Sequence, residues 1–144
     1  MKRWLNRNVW TLSWVSFLQD AASEMLYPIM PVLLTSVLHA PAAVVGAIEG
    51  AAEGVAALIK LASNRINHYV PRKMMVLLGY GAAALGKVFV AAATVWPIVL
   101  TGRLIDRVGK GLRSAPRDSM LLHGSERIHR GKVIGFHRTA DTLG

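Results

Sequence analysis

Seven carboxylates and eight basic side chains stand inside stretches of sequence that are otherwise long and apolar. The acids are Asp20, Glu24, Glu49, Glu53, Asp106, Asp118 and Asp141; the bases are Lys60, Lys87, Arg103, Arg107, Lys110, Arg113, Arg117 and Arg138. Groups of these types can do two kinds of chemistry in an apolar setting. A carboxylate shielded from water holds a proton more tightly and can exchange it, which makes Asp20, Glu24 and Glu53 candidate proton carriers. A guanidinium offers a planar fork of donors that matches a carboxylate or phosphate, which makes Arg103, Arg107 and Arg113 candidates for holding an anionic group, with Lys87 and Glu49 beside them. The plainer role for any one of these side chains is an interhelical ion pair that fixes packing.

Their spacing says which elements must position them. Residues three, four and seven apart share one face of a helix. Asp20 and Glu24 are four apart, as are Glu49 and Glu53, and Arg103, Asp106, Arg107, Lys110, Arg113 and Arg117 fall along one stripe. At roughly 3 kcal/mol for each charge near the bilayer centre, about fifteen facing lipid would cost on the order of 45 kcal/mol. The charged stripes are therefore expected to point inward, toward one another or toward a wet cavity.

A bilayer core needs about twenty mostly apolar residues per helix. Four runs meet that length: about Val9 to Leu38, Ala42 to Ile66, Met74 to Val95 and Pro97 to Leu122, with a fifth beginning near Val133. The expected fold is an all-α membrane bundle of four spans and the start of a fifth. With ~1.5 Å of rise per residue, Glu24, Glu49, Lys87 and Arg103 come to roughly 21 Å from one membrane face, and Asp20, Glu53 and Arg107 to roughly 15 Å. Acids and bases are thus brought to matching levels. The stripe from Arg103 to Arg117 nevertheless reads as short of acids at its own depth, because Asp106 and Asp118 lie on the same helix. Pro28 and Pro31 are expected to break the hydrogen-bond ladder of the first span. Glycine and alanine crowd the second and third spans, among them Gly46, Gly50, Gly54, Gly79, Gly81 and Gly86, as close helix packing in lipid requires.

Orientation follows from the links. Lys2, Arg3, Arg7, Arg65, Arg72, Lys73, Arg127, Arg130 and Lys132 collect on one side, while the links around His39 to Ala43 and Thr94 to Pro97 contain neither Lys nor Arg. Retention of basic loops in the cytoplasm places the amino terminus there. The basic start followed by an apolar run resembles a signal peptide, but the run is over twenty residues long and carries Asp20 and Glu24, so a retained helix is expected.

Composition narrows the function classes. Of the 144 residues, 53% are hydrophobic and only 17% charged, a balance that points to membrane and away from an ordinary soluble domain. The formal net charge of +9 is spread over helix ends and interiors. It forms no basic face, which argues against a nucleic-acid partner. The chain has no cysteine, which removes thiolate chemistry and disulfides. Its five histidines, His39, His68, His123, His129 and His137, lack metal-ligand spacing with a carboxylate on one helix face and read as loop or helix-end residues. No enzyme, metal site or cofactor is expected, and without a nucleotide-binding loop ATP is not a direct driver.

Around these charges the chain resembles the major facilitator superfamily. Gly102-Arg103-Leu104-Ile105-Asp106-Arg107-Val108-Gly109-Lys110-Gly111 carries the arginine and, six residues on, the glycine of that superfamily's fourth-helix motif, and also reads as the G-x-x-x-D-R-x-G-K pattern usual between helices two and three. The nearer likeness is to a bacterial subgroup with an acidic first helix (Asp20, Ser23, Glu24, Tyr27, Pro28, Pro31), Ile48-Glu49-Gly50 with Glu53 and Lys60, and Gly135-Phe136-His137-Arg138 with Asp141. Its most specific piece is Arg113-Ser114-Ala115-Pro116-Arg117-Asp118. Where the loop between helices two and three usually shows Gly, Asp, Arg and Gly, Asn64, His68, Tyr69 and Pro71 stand here, and only Arg72 and Lys73 remain. Asp106 and Arg107 are the candidates to replace that loop's gating role, in a wider gating set with Lys110, Arg117, Asp118, Arg138 and Asp141.

The resemblance implies the beginning of a twelve-helix fold built as two halves, in a bacterial inner membrane. It also implies secondary transport of a small solute by alternating access, for which the carboxylates Asp20, Glu24 and Glu53 suggest coupling to protons. The partners expected are the solute, the lipid bilayer, and either a missing carboxy-terminal half or a second copy. The competing expectation is a non-transporting fragment or a helper packed on another membrane protein.

Overall fold

The computed structural model describes residues 7–123 and 130–143, and every element among them is helical. Helix α1 spans Arg7–Val32 and runs into a π-helical turn at Leu33–Val37; α2 spans Ala42–Ile66, α3 Arg72–Ala91, α4 Trp96–His123 and α5 Arg130–Leu143. Lys2, Arg3, Arg127 and His129, which entered the sequence reading, lie outside the described residues, as does the side chain of Asp141.

Proline sets three of the helix starts. Pro41 and Pro71 stand immediately before α2 and α3 in an extended conformation, and their carbonyls accept the first turn's N–H groups from Val44 and from Met74 and Met75. Pro97 is the second residue of α4, where its missing N–H costs no intrahelical bond. This proline also explains why α3 stops at Ala91 and not at the expected Val95: the chain must reverse before Pro97, so Ala92 to Val95 form the link. Likewise α5 begins ahead of Val133, at Arg130.

Pro28 and Pro31 interrupt the hydrogen-bond ladder without ending the helix. Both sit inside a continuous α1, each leaving one carbonyl a turn earlier without its usual donor. Just beyond them the helix widens into the π turn. There Leu38 N–H donates to Leu33 O at 3.0 Å, and Thr35 Oγ1 donates to Pro31 O at 2.7 Å. His39, at φ 50°, then ends the run in the left-handed region.

The chain divides into two compact units, and both boundaries fall at a proline inside a helix. The first unit joins α1 up to Tyr27 with α4 from Arg117 and with α5. Its core is Val9, Leu121 and Val133 with Leu12 packed against them, flanked by Trp10 stacked on Phe136 and edge-on to Trp14.

The second unit, Pro28 to Pro116, holds α2, α3 and most of α4. Its α3 and α4 touch through glycine. A Cβ built on Gly86 would lie 2.5 Å from the carbonyl oxygen of Gly102, and one on Gly79 would lie 2.7 Å from that of Gly109. Gly111 brings α4 against Ile59 of α2. Not every small residue serves this purpose: Gly46, Gly50, Gly54 and Gly81 face open space. The exterior of α2 and α3 is apolar, with Leu58, Leu61, Leu77, Leu78, Leu85 and Val88 exposed, and both helices are long and apolar enough to cross a membrane. In α1 and α4 the charges interrupt the apolar run.

Candidate functional site

Glu49, Glu53 and Lys87 of the second unit meet charges of α4. Arg103, 1% exposed, is gripped by Glu49 of α2: its Nη2 donates to Oε1 and Oε2, both at 2.8 Å, and its Nε donates to Oε1 at 3.0 Å. One turn further along both helices, Arg107 Nη2 lies 3.1 Å from Glu53 Oε1. The four-residue spacing of the acids on α2 matches that of the arginines on α4, so two parallel rungs form one helical turn apart. These are the pairs that the depth estimate grouped together.

From the other side, Lys87 of α3 donates to Asp106 Oδ1 at 2.9 Å, and Asp106 Oδ2 lies 4.0 Å from Arg103 Nη1. A chain of alternating charge thus runs Lys87, Asp106, Arg103, Glu49. The expectation that the α4 stripe lacks acids is corrected here: Glu49 and Glu53 come to it from α2 at the same depth, while Asp106 is taken up by a base from α3. Counting acids on α4 alone could not reveal this.

The glycine contacts build these pairings. Gly86, pressed on α4, is followed by Lys87, which reaches Asp106; Gly79, also pressed on α4, is followed by Tyr80, whose ring lies 4.6 Å beneath the Arg113 guanidinium carbon. Gly79 and Gly86 are seven apart on α3, and Arg113 and Asp106 are seven apart on α4, so one local device is used twice. Arg113 is buried and meets an aromatic face, a favourable cation–π geometry. Lys110 departs from the inward reading: it is exposed although it sits in the same stripe, so the stripe is not covered along its full length. Lys60 is exposed as well.

The first unit holds a second polar cluster. Ser13, Ser16 and Asp20 lie along one face of α1. Arg117 of α4 donates through Nη1 to Ser16 Oγ at 2.6 Å, and its Nε lies 3.5 Å from Asp118 Oδ1. His137 of α5 is buried, with its Nδ1 3.1 Å from Ser13 Oγ. Asp20 is half-buried; Glu24, Asp118 and Arg138 are exposed. Reading His137 as a helix-end residue is therefore wrong: it stands in the body of α5, pointing into protein. The serine spacing on α1 was the available signal, but its partner is 124 residues away. Tyr80 was missed for a similar reason, since nothing local marks it as the seat of an arginine.

Matched charges thus lie between α2, α3 and α4, two of which are long and apolar enough to cross a membrane. The chain belongs to the Major Facilitator Superfamily, whose sequence profile matches residues 12–144. It is 34% identical over 146 aligned positions to an uncharacterized MFS-type transporter of Methanocaldococcus jannaschii, an alignment covering 99% of this chain and 35% of that protein. The chain spans about a third of the length of this curated relative. No solved structure matches it significantly.

Proposed function

We propose that the chain supplies the amino-terminal helices of a secondary transporter that moves a small solute by alternating access, coupled to protons. The observation that carries this reading is the Arg103 to Glu49 pair: a buried guanidinium held by both oxygens of a carboxylate on another helix, inside a membrane bundle. Such a pair is a switchable contact. An anionic solute group reaching Arg103 takes the place of Glu49, and Glu49 is then free to move with α2. Arg107, Arg113 and Lys87 extend the same basic lining, and Asp106 tethers it to α3. Asp20, Glu24 and Glu53 are the carboxylates proposed to carry the proton; of these Asp20 is half-buried, whereas Glu24 and Glu53 are exposed, which favours Asp20. Lys110, Arg117, Asp118, Arg138 and Asp141 are proposed to act, with Asp106 and Arg107, in gating. Family membership and the likeness to an MFS-type transporter support the class of activity. The relative's greater length supports a carboxy-terminal half as the partner, with a second copy of the chain as the other arrangement.

The test is flux in proteoliposomes made with the full-length protein, with a pH-sensitive dye in the lumen and a panel of small organic anions added outside one at a time. At least one anion should change the internal pH, and Arg103→Gln should reduce that rate by about tenfold or more, as loss of a charged hydrogen-bonded contact does. Solute entry without proton movement would remove the coupling. Undiminished flux in Arg103→Gln would remove the proposed site.

A further inference from the structure

We propose that His137, with Ser13 as its positioning residue, is a proton-binding site of this protein, separate from the charged axis of α2, α3 and α4. This deepens the proton-coupled reading above and rests on it for its physiological meaning, though not for its test.

Glu49, at the centre of the charged axis, is paired with an arginine that is 1% exposed. His137 is held differently. It is 2% exposed, and its Nδ1 meets a neutral hydroxyl 3.1 Å away on another helix. A hydroxyl can rotate: it donates to Nδ1 when that nitrogen is bare and accepts from it when it carries hydrogen. Ser13 therefore serves the ring in either tautomer and in both protonation states. Imidazole is the side chain whose ordinary titration falls at physiological pH.

The surroundings supply charge of both signs. Asp20 lies two turns beyond Ser13 on the same face of α1; α4 contributes Arg117, bonded to Ser16 one turn from Ser13, and Asp118 beside it. On α5, Arg138 is next in sequence and is exposed, as are Arg130 and Lys132; Arg7 of α1 and His123 of α4 are also exposed. Ser13, Ser16 and Asp20 thus form a polar row along α1, with His137 beside Ser13 and Arg117 on Ser16.

The test reads the ring directly. The full-length protein is labelled with isotopic histidine, placed in lipid nanodiscs, and its imidazole Cε1–Hε1 resonances are followed by NMR from about pH 5 to 8. The resonance that disappears in His137→Gln is assigned to His137. The His137 signal should titrate reversibly in that range. Ser13→Ala should weaken its proton binding by about threefold or more, because a hydrogen bond to a charged donor is stronger than one to a neutral ring. Ser13→Thr, which keeps the hydroxyl, should restore it. A His137 ring that stays in one state throughout overturns the site. A titration that Ser13→Ala leaves unmoved overturns the role of Ser13. Circular dichroism on each variant checks that the helices persist, and if Ser13→Ala fails to fold, the wild-type titration and Ser13→Thr decide. Absence of solute flux in the full-length protein would count against transport and leave this measurement standing.

Discussion

Arg103 and Glu49 illustrate how a charge survives inside a membrane bundle: each side chain is tolerable because the other is there. Removing one partner of a buried pair strands the other and costs about 3–5 kcal/mol, while removing both costs far less. Glu49→Gln and Arg103→Gln should each destabilise the chain on that scale in a detergent unfolding titration followed by circular dichroism, and the double variant should be less damaged than the two singles summed. Additive losses would show that the pair is not coupled. Glu53→Gln should be milder, because its carboxylate is 57% exposed. Water screens such a contact, and the expected loss is about 1 kcal/mol or less. Much of this was legible in the sequence. Glu49, Glu53, Lys87, Arg103 and Arg107 announce themselves because lipid forbids lone charges, and helical rise puts them at common depths. His137 and Tyr80 gave no such notice. A histidine or tyrosine is ordinary at a helix end, and only tertiary packing brings each to its partner.

At the scale of helices, the α3 to α4 contact depends on absent side chains. Gly86→Leu should force the two helices apart, since even the first carbon of a side chain would collide with the Gly102 carbonyl and the Asp106 backbone nitrogen. Overpacking of this kind costs about 1–3 kcal/mol, and here it also lengthens the Lys87 to Asp106 bond. Gly81→Ala should do the reverse, because its position is open. Alanine favours the helix over glycine by up to about 1 kcal/mol. The same unfolding titration compares them, and a harmless Gly86→Leu would show that the close approach is not required. The sequence presents the glycines of α2 and α3 as equivalent. What separates them is the matching pair on α4: Gly102 and Gly109 are seven apart, like Gly79 and Gly86, and a search for such paired spacing would have found the seam. The continuity of α1 through Pro28 and Pro31 was less accessible, because a proline says which bond is lost and not whether the helix will end.

For the whole molecule, the count of basic residues predicts a cytoplasmic amino terminus and alternating loops. A reporter active only outside the cytoplasm should work when fused after His39 or Thr94 and fail after Arg72 or Arg130; the opposite pattern would reverse the orientation. The 144-residue chain expressed alone should self-associate or be degraded, since Gly46, Gly50 and Gly54 leave a narrow face of α2 uncovered. Small-residue faces of that kind draw helices together in lipid, and a stable monomer by cross-linking and mass measurement in detergent would contradict the expectation. The division into two units has a further consequence, in time. The larger unit is one continuous stretch, so its helices can close on each other soon after they leave the ribosome. The smaller is assembled from both ends of the chain: Ser16 meets Arg117 across 101 residues and Ser13 meets His137 across 124. At ~5–20 residues per second, α1 waits on the order of ten seconds for those contacts. Until then Ser13 and Ser16 of α1 lack the partners that α4 and α5 bring them.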